Sequence, residues 1–281
     1  MNIILSIYKK YAEAIYNGTK KYEFRKKIPK STPERVYIFT TKPACGITGY
    51  FEIKTILEDE PQKLWEQTKE NSGLNEKDYK EYFMGCEKAF AYKIGKTVKF
   101  LEPKKWNHGG PQLFYYLYHN EQDWLNENIK NTVCIVSSAK QPATINFLDK
   151  NIQEYKKDFQ KYYPDFDKWY RKVLNESTDE PKNREIICIA KGLEPQRAKF
   201  IGFCILKKHK DEKKLCSLYI SPQYRKQGFA SKLINIAKQK LDTKKPVITI
   251  PKELINDFEK IIKKEKWEIS IIQEKQIIYN E

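Results

Sequence analysis

Short apolar runs and longer amphipathic runs alternate along the chain, and the first half contains mostly short runs. A short run of apolar and β-branched residues predicts a strand, whereas apolar residues three and four apart predict a helix. The predicted strands of the first half lie at 2–7, 20–25, 35–40, 47–57, 90–94 and 96–100. Its predicted helices lie at 9–16, 61–69 and 75–84. We therefore expect a half-barrel of strands with peripheral helices.

The second half begins with a new apolar strand and has its own order of elements. Its predicted strands lie at 132–137, 185–190, 200–207, 215–220, 246–250, 267–272 and 275–279. Its predicted helices lie at 147–163, 165–174, from about 228 to 241, and at 252–264. Neighbouring strands with short links usually pair antiparallel, which predicts a meander.

The polar segment at 126–131 separates the two patterns and is typical of a linker. The sequence thus predicts an α+β protein with one domain at 1–125 and a second at 132–281, joined by residues 126–131. Each stretch is long enough to form its own hydrophobic core.

The net charge of +16 favours a polyanionic partner, with nucleic acid first and an acidic membrane surface second. The charges are spread along the whole chain, so a generally lysine-rich composition explains them equally well. The chain has six cysteines, none in a C-x-x-C pair, and three histidines, so no metal site is expected. The same cysteine usage indicates a reduced, cytoplasmic setting. The longest apolar stretch, near 200–206, is too short to span a bilayer, so no membrane partner is expected.

An acidic residue between cations marks the predicted strand at 20–25, where Glu23 lies between Lys20 and Arg25. Strand alternation places Glu23 and Arg25 on one face, and a bulge would bring Lys20 to the same face. Arg25, oriented by Glu23, suits a phosphate or a nucleobase edge. The alternative is a solvated ion-pair strand, which contributes little to stability.

Gly18, Lys20, Glu23 and Arg25 match the G-x-K-x-x-E-x-R signature, and over residues 1–120 the chain resembles the ASCH domain. The resemblance implies a small β-barrel-like fold with a cleft that takes RNA or a nucleotide. Some family members are amidohydrolases that deacetylate acetylcytidine. Those enzymes carry a nucleophilic threonine at the position that Glu23 occupies here.

A basic loop links a strand that ends in L-Y-I-S-P to an amphipathic helix, and it contains Arg225, Gly228 and Ala230. A loop of small residues that enters a helix presents free backbone N–H groups at the positive end of the helix dipole. Such a site suits a pyrophosphate. Gly228 permits close approach of the ligand, and Ala230 keeps the turn tight.

The pattern R-x-x-G-x-A in this context resembles the pyrophosphate loop of the GNAT superfamily of N-acetyltransferases, over residues 132–281. The resemblance implies acetyl-CoA as co-substrate and an Ile220 backbone amide that polarises the thioester as an oxyanion hole. The implied acetyl-CoA contacts are Ile220, Arg225, Lys226, Gln227, Gly228, Phe229, Ala230 and Ser231.

The segment expected to supply a general-acid tyrosine instead carries Ile262, with Lys266 at the position of a glycine. Water or Tyr219, a tentative acid, would then have to protonate the leaving thiolate. Three functions remain open. The first is an acetyltransferase that an RNA-binding ASCH module guides to an unidentified amine on or near RNA. The second is a non-catalytic, RNA-associated regulator that senses acetyl-CoA, and the third is an amidohydrolase of acetylated nucleosides.

Overall fold

The computed structural model describes residues 1–130, 132–137, 142–178, 183–192, 198–209 and 212–280. The chain divides into two compact units, Met1–Ile135 and Val136–Glu281. Both combine helices with largely antiparallel strands, which confirms the predicted fold class. None of the helices in the described ranges is long and apolar enough to cross a membrane.

The first unit contains most of the strands predicted from short apolar runs. Its strands are β1 (Asn2–Ile7), β2 (Tyr22–Arg25), β3 (Arg35–Thr40), β4 (Gly46–Asp59), β5 (Ala89–Lys104), β6 (Tyr115–Tyr116) and β7 (Val133–Ser137), which reaches into the second unit. Its helices are α1 (Lys9–Asn17), α2 (Pro61–Thr68), α3 (Glu76–Phe83) and α4 (His119–Lys130).

The sheet of the first unit has the strand order β7-β5-β4-β3-β1-β6, and β2 pairs with β5. β1 and β3 are parallel, and the remaining pairs are antiparallel. α1 packs its buried Ile15 and Tyr16 against this sheet, because apolar residues on one helix face must be covered. A second cluster packs Phe24 of β2 against α2 and α3.

Two strand predictions for the first unit are corrected by the backbone. β2 begins at Tyr22 and not at Lys20, because the N–H groups of Thr19 and Lys20 both donate to the Ala14 carbonyl and close the end of α1. β5 runs unbroken through Gly95, where two strands were expected. Glycine in a strand interior weakens a strand without necessarily ending it.

The expected linker at 126–131 is also corrected, since residues up to Lys130 form the end of α4, while residue 131 lies outside the described residues. Leu125 and Ile129, four residues apart, are both fully buried. Two apolar side chains at this spacing lie on one helix face. The polar residues between them face solvent, which is why the segment resembles a linker in sequence.

The second unit contains the predicted meander. Its helices are α5 (Pro142–Glu154), α6 (Lys156–Gln160), α7 (Phe166–Thr178), α8 (Phe229–Leu241) and α9 (Ile255–Glu265). Its further strands are β8 (Arg184–Lys191), β9 (Lys199–His209), β10 (Glu212–Ile220), β11 (Val247–Pro251), β12 (Ile269–Ile272) and β13 (Gln276–Tyr279).

These six strands form the order β12-β13-β11-β10-β9-β8, in which only β10 and β11 pair in parallel. An aromatic-rich core lies between this sheet and α5–α7 and includes Phe159, Phe166 and Phe203. α8 packs against β8, β9 and β10.

β10 and β11 pair over only two residues and then separate. This separation leaves a gap in the sheet of the second unit. Their parallel pairing joins Lys214 to Val247 and Leu215 to Ile248. A bulge between Leu215 and Ser217 then interrupts β10. Within the described residues, the stretch from Ser217 to Ile220 pairs with β9 alone. One edge of this stretch is therefore open.

We predict that Leu125→Ala lowers the free energy of unfolding of the first unit by about 2–5 kcal/mol, the cost of truncating a buried leucine. Glu127 lies on the solvent side of α4 in an exposed ion pair with Lys130, so Glu127→Ala should change stability by less than about 0.5 kcal/mol. Urea denaturation of both variants measures the difference. Equal, small effects would contradict the packing of α4.

Candidate functional site

A buried ion cluster in the first unit joins the residues of the predicted strand motif. Glu23 Oε1 lies 2.8 Å from Arg25 Nη2, and Glu23 Oε2 lies 3.7 Å from Lys20 Nζ. The side chains of Lys20 and Glu23 are 2% and 8% exposed, whereas that of Arg25 is 15% exposed. The structure therefore brings all three together but leaves Arg25 nearest to solvent.

Lys20 supports Glu23 from inside the unit. Its ammonium donates to the Ser72 carbonyl at 2.9 Å and lies between the rings of Tyr11 and Phe24, 5.5 and 4.8 Å from their centroids. Loss of hydration lowers the pKa of Lys20, and the attraction of Glu23 opposes that shift. A buried ammonium with these partners cannot reach a ligand at the surface without breaking them.

Two buried donors beside the cluster lack a partner among the described residues, Arg25 Nε and the Tyr92 hydroxyl. Tyr92 lies directly opposite Glu23 in the β2–β5 ladder, and burial is the main reason that its pKa is raised. Arg25 Nη2 also donates to the Ser6 carbonyl at 3.1 Å. Unsatisfied buried donors are costly, so this corner suits an anionic or carbonyl-bearing ligand.

In the second unit, the open edge of β10 presents backbone N–H groups. The Ser221 N–H donates to the Ile201 carbonyl on β9 at 2.9 Å. Alternate N–H groups of a strand point to opposite edges, so the N–H groups of Ile220 and Leu218 point away from β9 and toward the gap. The Ile220 amide selected from sequence is thus at the open edge.

The loop after β10 leads into α8 with two residues in the left-handed region. Lys226 has φ +61° and Gly228 has φ +83°, and α8 begins at Phe229 without a side-chain cap. The first N–H groups of a helix have no intrahelical partner. Within the described residues, no hydrogen bond occupies the N–H groups of residues 226–231. These amides form a compact site for an anion.

Arg225 differs from the rest of this loop because it is already committed to the protein. Its N–H donates to the Pro222 carbonyl at 3.2 Å, and its Nε donates to the Ile220 carbonyl at 3.1 Å. Gln227 Nε2 donates to the Gln223 carbonyl at 3.0 Å. Both side chains therefore hold the shape of the loop.

Two serine hydroxyls and one lysine ammonium lie at or next to this loop. Ser231 Oγ accepts from Lys264 Nζ of α9 at 3.1 Å. The Ser221 hydroxyl is fully buried and has no partner within the described part of the chain. Sequence reasoning missed Ser221 and Lys264, and only the S-P step after the strand signals the first of them.

Tyr219 lies on the α6 side of the sheet. Its hydroxyl donates to Asp158 Oδ2 at 2.9 Å, and its ring packs among Tyr155, Phe159 and Phe203. Burial, followed by the bond to Asp158, raises its pKa. A raised pKa makes the hydroxyl a weaker proton donor. Asp158, 61 residues away in sequence, carried no signal.

Known proteins resemble each half of the chain. An ASCH domain-containing ribonuclease of Zymomonas mobilis is 32% identical over 90 residues, which cover 32% of this chain and 61% of that protein. The crystal structure of ASCH from the same organism is 26% identical, covers 45% of this chain and 94% of its own, and gives a TM-score of 0.41. The chain thus spans less than two thirds of the curated relative's length.

The chain is also similar to the crystal structure of the PaiA N-acetyltransferase of Thermoplasma acidophilum in complex with coenzyme A. The identity is 14%, the similarity covers 48% of this chain and 92% of the other, and the TM-score is 0.34. Family models decide the assignment: the ASCH domain matches residues 5–100, and the acetyltransferase (GNAT) domain matches residues 183–261. The chain contains an ASCH domain and a GNAT domain. Both resemblances drawn from sequence motifs are confirmed.

The two domains contain the geometry described above. The ASCH domain holds the ion cluster of Lys20, Glu23 and Arg25, and it adds Tyr92, which sequence reasoning missed because only strand register brings it opposite Glu23. The GNAT domain holds the open edge of β10 and the loop that enters α8. Ile262 lies in α9, where it supplies no proton.

We predict that Glu23→Gln in the ASCH domain lowers the free energy of unfolding by about 3–5 kcal/mol, because it leaves the buried Lys20 ammonium without its counter-ion. Glu66 and Lys69 form the matched control, an exposed pair with the same separation in sequence and an O–N distance of 2.6 Å. Glu66→Gln should cost no more than about 1 kcal/mol. If denaturation curves of the two variants coincide, the buried cluster does not carry this energy.

Proposed function

We propose that the protein transfers an acetyl group from acetyl-CoA to an amine, and that its ASCH domain is an RNA- or nucleotide-binding module. The GNAT domain supports acyltransferase activity in general. The observation that carries the proposal is the coincidence of two arrays of backbone N–H groups, the open edge of β10 and the loop at residues 226–231. An acyl-CoA has a carbonyl and a pyrophosphate to match them.

The loop would hold the pyrophosphate through the amides of Lys226, Gln227, Gly228, Phe229, Ala230 and Ser231. Its N–H groups point outward from the first turn of α8, where the helix dipole also favours an anion. Gly228 has no heavy atom within 4 Å of the position of a Cβ, so space for a ligand lies directly above it. Arg225 would act indirectly by fixing the loop to the Ile220 carbonyl.

The Ile220 N–H would stabilise negative charge on the acyl carbonyl oxygen while an amine attacks the carbonyl carbon. Tyr219, the tentative acid, has its proton bonded to Asp158, and its raised pKa disfavours transfer to a thiolate. Water is therefore the better source of that proton. Slow transfer is the expected result, since a general acid typically contributes about 10²–10⁴ in rate.

We predict that Gly228→Asp weakens acetyl-CoA binding by at least about 1–3 kcal/mol, because it places a carboxylate against the pyrophosphate. Gly85→Asp is the control: Gly85 shares a positive φ and open surroundings but lies in the ASCH domain. Calorimetry measures both affinities, and equal values would rule out this loop. Tight binding by the wild type without transfer to any amine would favour the acetyl-CoA sensor.

The ASCH domain supports a second candidate function, cleavage of RNA. The curated relative is a ribonuclease, and the cluster here combines a guanidinium, a carboxylate and an unpartnered phenol. Arg25 is the residue suited to contact a phosphate, because Lys20 is buried behind Glu23. The net charge of +16 adds long-range attraction for a polyanion.

We predict that Arg25→Ala weakens binding of single-stranded RNA at least about tenfold, whereas Lys27→Ala, at an exposed lysine two residues on, changes it much less. The slope of log affinity against log salt should be roughly −0.7 per contacted phosphate. Gel analysis of the same mixtures shows whether the RNA is cut, and acetate release from acetylcytidine would identify an amidohydrolase. Absence of binding at low salt would overturn the assigned role of the domain.

A further inference from the structure

A cavity of about 450 Å³ lies in the second unit between the α6–α7 connection and the sheet. Its lining from the connection is mainly aromatic, and its lining from the strands is polar. No part of the loop at residues 226–231 contributes to it. It is therefore a separate space from the proposed pyrophosphate site.

The aromatic wall comes from Tyr162, Tyr163, Phe166 and Trp169. Phe166 is buried and contacts Trp169 at a ring-centroid distance of 5.8 Å, while Tyr163 is 37% exposed. The core holds Phe166 and Trp169 in place, so a ring that packs on them costs little side-chain entropy. The wall suits a planar ring.

The strand side of the cavity carries three cations, Arg184, Lys207 and Lys214, and one acid, Glu212, while Asp165 lines the cavity from the connection. Lys207 is in direct contact with Glu212, which leaves Lys214 3.9 Å from the same carboxylate. Lys214 is thus the least neutralised of the three. An anionic group of a ligand would form a charge-assisted hydrogen bond with the Lys214 ammonium.

Arg184 is positioned rather than free. Glu176 binds its Nε at 2.8 Å, and its Nη1 lies 3.1 Å from the Cys216 sulfur, with the Trp169 ring 5.9 Å from its guanidinium carbon. The cation therefore stands next to the aromatic wall. A ligand ring that packs on this wall would direct an acidic substituent toward the strand side of the cavity, which Arg184 and Lys214 line.

The cavity reaches the open edge of β10. Ser217, which begins the stretch that pairs with β9 alone, lines the cavity, and Thr249 lines it from β11 across the gap. The Ile220 N–H points into the same gap. An amine held in the cavity would therefore approach an acyl group at this edge from the α7 side of the sheet.

We propose that this cavity is the acceptor site and that it selects a primary amine carrying both an aromatic ring and an anionic group. The proposal rests on the acetyl transfer proposed above. The amine nitrogen forms the new bond to the carbonyl carbon, the carbon–sulfur bond breaks, and coenzyme A leaves as the thiolate. The proton lost by the amine passes through solvent to that thiolate.

The test compares acceptors for the full-length protein at saturating acetyl-CoA, with release of free thiol as the readout. Tryptophan has the ring and a carboxylate, pyridoxamine phosphate has the ring and a phosphate, tryptamine lacks the anion, and alanine lacks the ring. We expect transfer to tryptophan or pyridoxamine phosphate to exceed transfer to tryptamine and alanine at least about tenfold in kcat/KM. The better of these two acceptors shows whether the site prefers a carboxylate or a phosphate. Equal kcat/KM values for all four acceptors would overturn the proposed selectivity.

Lys214→Ala should raise the KM for the preferred acceptor about tenfold and leave the KM for acetyl-CoA unchanged. Lys213→Ala is the matched control, because the neighbouring lysine bonds to the Asp242 carbonyl and does not line the cavity. Trp169→Leu should act like Lys214→Ala, and Trp169→Phe should restore much of the loss, which separates stacking from misfolding. Unchanged acceptor KM values in both cavity variants would overturn the proposal.

Binding without chemistry separates this proposal from the proposed transfer. Coenzyme A without an acyl group cannot react, so calorimetry of tryptophan or pyridoxamine phosphate with the CoA-bound protein measures the cavity alone. Binding that Lys214→Ala weakens, in a protein that transfers nothing, would support the cavity and refute the transferase. Transfer that persists without such binding would refute the cavity alone.

Discussion

The second unit depends on one constraint, which is that β10 loses its partner on one side while it is still a strand. Backbone N–H groups need hydrogen-bond partners, and those of Leu218 and Ile220 face a gap that β11 has left. The bulge at Cys216 allows the parting, and β9 keeps β10 straight from the other side. The loop, α8 and the aromatic cavity are all arranged around this open edge.

The first unit is constrained by the cost of burying charged side chains. Lys20 and Glu23 lose most of their hydration, and their attraction offsets that cost only because the Ser72 carbonyl and Arg25 complete the set of partners. The arrangement leaves one cation, Arg25, at the boundary with solvent. A preformed, rigid guanidinium gives up little freedom when it binds, which suits recognition of a phosphate or a base edge.

Local sequence patterns predicted those elements that form through interactions between residues close together in the sequence. The turn at Gly18, the meander and the loop at Arg225–Ala230 follow from glycine positions and apolar periodicity, and the structure has them in place. Side-chain contacts that depend on strand register or on packing between distant segments could not be predicted from local sequence. Tyr92 opposite Glu23 and Asp158 beneath Tyr219 are brought together by strand pairing and core packing, and neither position carries a local signal.

Helix α8 begins at Phe229, and its N-cap residue Gly228 has no side chain that could accept from the first free N–H groups. An anion bound there would do what a serine or aspartate does at other helix starts. If that anion is the pyrophosphate of acetyl-CoA, as proposed above, stability would follow the supply of acetyl-CoA, with a gain of about 2.7 kcal/mol at a hundredfold excess over the dissociation constant. The domain would be most ordered when acyl donor is abundant and most open to local unfolding and proteolysis when it is scarce.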